Sequence, residues 1–236
     1  MAWRIERAEA QLVAKAGEAA RRRRADGAGF VIPVAGGVAG FAGAGSPFNK
    51  VAGLGFGGAP GPAALAEIER AYALRARRCR SNRLADPAIG AVLTGRGYRL
   101  TGFDNVLGLV LEGEPERVTP PGVEIRPSGE EEFESWLHTV LHGFAHPDTP
   151  GVPWHGEIPR EVIAGAARDF AAAGGIRYIA LHDGVLAGAV RLRMAKGVAL
   201  LAGATTAPAY RRGGCRPRWC RPGSPTPQPP AATSRS

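Results

Sequence analysis

The residues best suited by type and spacing to do chemistry lie in one run, Ala204-Thr205-Thr206-Ala207-Pro208-Ala209-Tyr210-Arg211-Arg212-Gly213-Gly214. An apolar stretch ends at Thr206, crosses a proline, and enters a pair of arginines and a pair of glycines. A strand that delivers the chain into an Arg/Gly loop opening a helix is built to cradle phosphate. Free backbone N–H groups and the positive end of the helix dipole face the anion, glycine lets the backbone come close, and arginine adds a bidentate cation.

Other residue groups have simpler roles. His138, His142 and His146 recur every four residues, so the first two would share a helix face as two metal ligands could. The helix offers them no adjacent carboxylate and Pro147 ends it, so no metal is expected. The cluster Gly53-x-Gly55-x-Gly57-Gly58 has neither a strong preceding strand nor an acidic residue at dinucleotide spacing, and reads as turn glycines. G-x-S-x-G is absent, and Ser46 reads as a turn residue rather than a nucleophile. Cys79, Cys215 and Cys220 form no CxxC pair and no disulfide framework, which points to a reducing, cytoplasmic compartment.

These residues need elements to position them. An Ala-rich helix is expected from the N-terminus to about Arg24, with Arg21–Arg24 as its solvated, dipole-complementing end. Short apolar runs around Val31, Ile32, Val34, Val38 and Phe41 read as strands. A helix follows from Pro62 with Leu65, Ile68 and Tyr72 on one face, then a short one at 86–95, then two strands within 96–113. The Pro-rich stretch 114–122 is the expected linker. Beyond it come a strand at 123–126 and a capping-box signal, Ser128 with Glu131. A helix then shows Phe133, Trp136, Leu137, Val140, Leu141 and Phe144 on one face, and a second runs from Pro159 to Gly174–Gly175. Asp183–Gly184 and Lys196–Gly197 separate three strands at 177–182, 185–194 and 198–206. The fold class is α/β, a mixed, mainly antiparallel sheet flanked by helices, in two modules.

Strand, two helices, a three-strand meander and then Arg211-x-x-Gly214 resembles the GCN5-related N-acetyltransferases, the GNAT superfamily. The resemblance covers residues 123–214. It implies that the backbone of Ala204, Thr205, Thr206 and Ala207 pairs with the pantetheine arm of acetyl-CoA. It also implies that Arg211, Arg212, Gly213 and Gly214 grip the pyrophosphate, and that acetyl passes to an amine of a small molecule or peptide. His142, His146, Trp154 and His155 lie where the family builds its acceptor site. No catalytic residue is assigned, since no glutamate stands on 198–206 and the segment that often holds a general acid in the family has no counterpart here. Asp86–Pro87 through Arg96-Gly97-Tyr98 is similar to the family's closing helix and turn, so residues 1–113 resemble a degenerate first module.

Position 216 is Arg where the family pattern has Gly or Ala, and residues 215–236 read as a disordered, basic, Pro-rich tail that cannot form the next helix. The second module is therefore expected to be truncated or frameshifted. GC-rich codons read one frame over turn Gly214–Ser224 into VQAALVPARL, a helix-like run, and turn Arg77–Asn82 into AVQVE, a strand-like one. This tail also explains the charge. The whole chain of 236 residues carries +9, but residues 1–206 hold 24 basic and 21 acidic groups, or +3. A nucleic-acid partner is not expected from so balanced a body, and no run of 18 apolar residues suggests a membrane span.

Overall fold

A computed structural model describes residues 2–73, 79–81 (backbone only), 86–102, 106–113, 119–146 and 158–211. In chain order the elements of the first half are α1 (Ala2–Arg23), β1 (Phe30–Val34), β2 (Gly37–Phe41), β3 (Lys50–Leu54), α2 (Pro62–Tyr72), β4 (Cys79–Ser81) and α3 (Ala88–Gly95). The second half has β5 (Val123–Pro127), α4 (Phe133–Ala145), α5 (Arg160–Ala172), β6 (Gly175–His182), β7 (Val185–Ala195) and β8 (Val198–Thr206), closed by a 3-10 turn at Pro208–Tyr210. Two four-stranded sheets result, ordered β1-β2-β3-β4 and β5-β6-β7-β8. Every pairing is antiparallel except β3 with β4, which is parallel. The α/β, mainly antiparallel class expected from the sequence is the class observed.

Alternation along the strands decides what each sheet face meets. Val38 and Ala52 face α1 at Ala10 and Val13, while Ala39, Phe41, Val51 and Leu54 face Ile68 and Tyr72 of α2 and Ile89 of α3. The first sheet is thus sandwiched between helices. In the second sheet Ile179 and Ala189 pack under Phe133, Trp136, Leu137 and Val140 of α4 and Ile163 and Ala167 of α5. Its other face presents Ile125, Ile176, Met194 and Leu201 as exposed side chains.

The halves share a seam. Leu12, Ala16 and Ala20 of α1 pack with Ala166, Phe170 and Ala173 of α5 around Phe48. The small side chains of α1 let it bury opposite faces at once, against its own sheet and against α5. Arg23 closes the seam with a two-point ion pair to Asp169, Nε to Oδ1 at 3.0 Å and Nη2 to Oδ2 at 3.1 Å. The expected solvated basic end of this helix is therefore corrected at Arg23, whose partner carboxylate is only 1% exposed.

Three further expectations are revised. The capping box at Ser128 and Glu131 does not form: α4 starts at Phe133, and Glu132 instead accepts the Gly129 N–H at 3.0 Å and both guanidinium nitrogens of Arg126. Glu132 is thereby the residue that caps α4, its carbonyl accepting the Trp136 N–H at 2.8 Å, and the pairing holds its carboxyl down at about 2, mainly through the Arg126 hydrogen bonds and next through the Gly129 N–H. No strand lies within the described residues of 96–113; Leu107, Leu109, Val110 and Leu111 are exposed there. Finally, a strand does precede the glycine cluster, since β3 ends at Leu54. The Gly55 and Gly57 amides both turn back onto the Ala35 carbonyl, at 3.3 and 3.1 Å, as turn glycines would.

Candidate functional site

The end of β8 is shaped by a bulge. Arg191 pairs with Ala202, whereas Ala189 pairs with Thr205, so β8 holds one more residue than β7 between these points. Gly203 takes up the difference at φ 62°, a conformation that suits glycine. The ladder then resumes through Thr205 and Thr206, and the Ala207 N–H reaches the Ala187 carbonyl at 2.9 Å. β8 is the edge strand of its sheet. Alternate backbone groups on its outer side therefore have no strand neighbour among the described residues, which is the arrangement that accepts an extended ligand as an added strand.

Helix α4 lies against this end. A Cβ placed on Gly143 would come within 1.7 Å of Thr205 Oγ1, so glycine is what lets the helix approach β8 so closely. Thr205 and Thr206 are both buried, and Thr206 Oγ1 has no hydrogen-bond partner among the described residues. That orphaned hydroxyl beside an open strand edge is a feature a polar ligand would satisfy.

Arg211 is turned inward. Its Nε donates to the Thr206 carbonyl at 3.0 Å, Nη2 to the Gly143 carbonyl at 3.0 Å, and Nη1 to the His146 carbonyl. A planar guanidinium at a helix C-terminus meets carbonyls that lack intrahelical partners and the negative end of the dipole, so Arg211 works as a cap for α4. Tyr210 packs beside Val123 and Ala187, with its ring 5.7 Å from that of His182.

A second arginine lies deeper. Arg191 is packed between Phe170 at 5.3 Å and Trp136 at 6.0 Å. Its Nε and Nη1 find no hydrogen-bond partner among the described residues, and burial pushes its pKa down to about 10. Aromatic faces provide its stabilisation. Arg193, also lowered by burial, donates Nε to the Ala173 carbonyl at 2.9 Å.

The structure thus brings Ala204, Thr205, Thr206, Ala207 and Arg211 to one end of the second sheet, beside the last turn of α4 with His142 and His146. Arg212, Gly213 and Gly214 lie outside the described residues, as do Trp154, His155, Cys215 and Cys220. Ser46 is the expected turn residue, its Oγ accepting the Phe48 N–H at 3.3 Å. Sequence reasoning missed Gly143 and Gly203. A glycine mid-helix and a glycine inside an apolar strand were the available signals, since both argue for close approach or a bulge. Among the described residues no three His, Cys, Asp or Glu side chains converge to hold a metal ion, and no described helix is long and apolar enough to cross a membrane.

Comparison with known protein families and with curated protein sequences finds no match. A solved structure to which the chain is similar is a GCN5-related N-acetyltransferase from Kribbella flavida, at 19% sequence identity and a TM-score of 0.46, covering 87% of this chain and 75% of that one.

Proposed function

We propose that the chain is an acyltransferase of the N-acetyltransferase type, which binds acetyl-CoA along the outer edge of β8 and passes acetyl to an amine of a small molecule or peptide. The observation behind this reading is the open edge at Ala204–Ala207, bent by Gly203 and flanked by the unpartnered Thr206 hydroxyl. Acetyl-CoA supplies a thioester whose carbonyl carbon an amine can attack. The chain contributes a strand edge that would hold an extended pantetheine arm in register, so that positioning does most of the work. The strand end fits that arm. Arg211 as placed faces α4 and not an outer phosphate, so the pyrophosphate end of this reading falls to Arg212, Gly213 and Gly214. Three cysteines without a disulfide framework agree with a cytoplasmic setting.

The inward Arg211 also favours a second reading, an acyl-CoA-binding or inactive fragment in which the loop never closes on phosphate. Acetyl-CoA separates the two. At millimolar ligand the first reading expects a raised Tm and acetylation of at least one member of an amine panel. A raised Tm without turnover supports the second, and no shift at all removes both.

A further inference from the structure

We propose that His142 and His146, with His138 one turn behind, form an open, solvent-facing site for a divalent transition-metal ion. Helix geometry puts His138 and His142 of α4 on one stripe, His146 follows as the residue that caps the helix, and all three imidazoles are exposed. The rings of His142 and His146 have centroids 4.5 Å apart at 47°, and those of His138 and His142 lie 6.0 Å apart and nearly parallel at 6°.

The closer spacing suits coordination. With a metal–nitrogen bond of about 2 Å and a ring centre roughly 1.2 Å beyond the nitrogen, two imidazoles bound at 90–109° have centroids about 4.5–5.2 Å apart. The pair His142/His146 already meets this condition, while His138 needs a rotamer change to join. Tautomer choice points the same way. His146 Nδ1 lies 2.8 Å from the His142 carbonyl, which can only accept a hydrogen bond. Nδ1 therefore carries a proton, and in the neutral ring that leaves the Nε2 lone pair for a metal, the arrangement in which metal-binding histidines are held by a second partner. The backbone of His146 is itself fixed, because its carbonyl takes Arg211 Nη1.

The chemistry selects the ion. The carboxylate one turn before His138 is Glu134, and it is engaged with Arg160. Two neutral imidazoles without a free carboxylate favour Cu2+, Ni2+ and Zn2+ over Mg2+ and Ca2+. Water would fill the remaining positions, so the bound ion stays open to a further ligand. The sequence expectation of no metal rested on the missing carboxylate; ions that prefer imidazole do not need one.

The test is titration of the full chain, first freed of metal by dialysis against chelator, with Ni2+, Zn2+ and Mg2+ in separate calorimetric experiments. One Ni2+ or Zn2+ per chain and no Mg2+ uptake is expected. His142→Ala and His146→Ala should each weaken binding at least about tenfold, the scale on which even outer-shell changes act, and the double variant should abolish it. His138→Ala should weaken it less than either. All three positions are exposed, so circular dichroism should show unchanged folding. A Cys79→Ser/Cys215→Ser/Cys220→Ser variant tests the competing thiols: binding that survives it and is lost in the double histidine variant supports the site. Binding that survives in the double histidine variant, or no uptake at millimolar metal, overturns the proposal. Neither outcome depends on acetyl-CoA binding.

Discussion

The two halves run the same course and then part. In each, a helix leads into a three-strand antiparallel meander: α1 into β1-β2-β3, and α5 into β6-β7-β8. After its meander the first half continues through the glycine loop into α2 and returns as β4, parallel to β3. Helices α2 and α3 then cover the sheet face that α1 leaves free. After its own meander the second half reaches Pro208–Arg211, and its last described strand remains an edge. The crossover that completes the first sheet is what makes β3 an interior strand. Among the described residues no such crossover follows β8, and the open side this leaves is the basis of the proposed ligand site. The first half's glycine loop is spent on its own turn at Ala35, so likeness of path does not carry likeness of chemistry.

The largest expected effect comes from breaking the seam that lets the halves act as one body. Phe170→Ala removes a buried ring shared by α1 and α5 and should cost about 3–5 kcal/mol. Urea denaturation should still show a single transition at a lower midpoint; two separated transitions would mean that the halves fold independently. Arg23→Ala comes next, at about 3 kcal/mol, because it strands a buried carboxylate. Asp169→Asn should cost less, since Arg23 can turn to water, and equal losses in the two variants would argue that the pair is merely superficial.

Gly143→Ala tests whether the second half depends on the close contact between α4 and β8. Overpacking there should cost about 1–3 kcal/mol, and acetyl-CoA should lose affinity in the surviving protein; a variant that keeps both properties removes Thr205 from the site. Arg191→Met has the opposite sign. Exchanging a buried, poorly bonded cation for an apolar side chain should be neutral or stabilising by about 1 kcal/mol, read as a raised Tm. The smallest effect concerns Glu132. Its folded pKa is depressed, so its contribution is complete above the unfolded value near 4.5 and is lost as pH falls toward about 2. Glu132→Gln should flatten the stability profile across that window and lower stability by a constant amount above it, pH 7 included.

Where local chemistry decides, the sequence is readable. The second meander could be placed almost to the residue because Asp183–Gly184 and Lys196–Gly197 are turn pairs, and all four take positive φ. Legibility fails where a partner outside the motif decides. Ser128 and Glu131 have the spacing of a cap, but the Arg126–Glu132 pair sets the start of α4. The fitness of 96–113 for strand structure says nothing about whether a sheet edge receives it. The spacing Arg211-x-x-Gly214 after a strand points to phosphate, and nothing in it points to α4. The actual acceptors of Arg211 at Gly143 and His146 lie 68 and 65 residues earlier in the chain.

That cap has a mechanical meaning. Arg211 is tied by three hydrogen bonds to β8 and to both ends of the last turn of α4. Pulled away, it would release the carbonyl of Thr206 at the strand edge and those of Gly143 and His146 together. The side chain thus acts as a latch whose opening would free a strand edge and a helix end in one step.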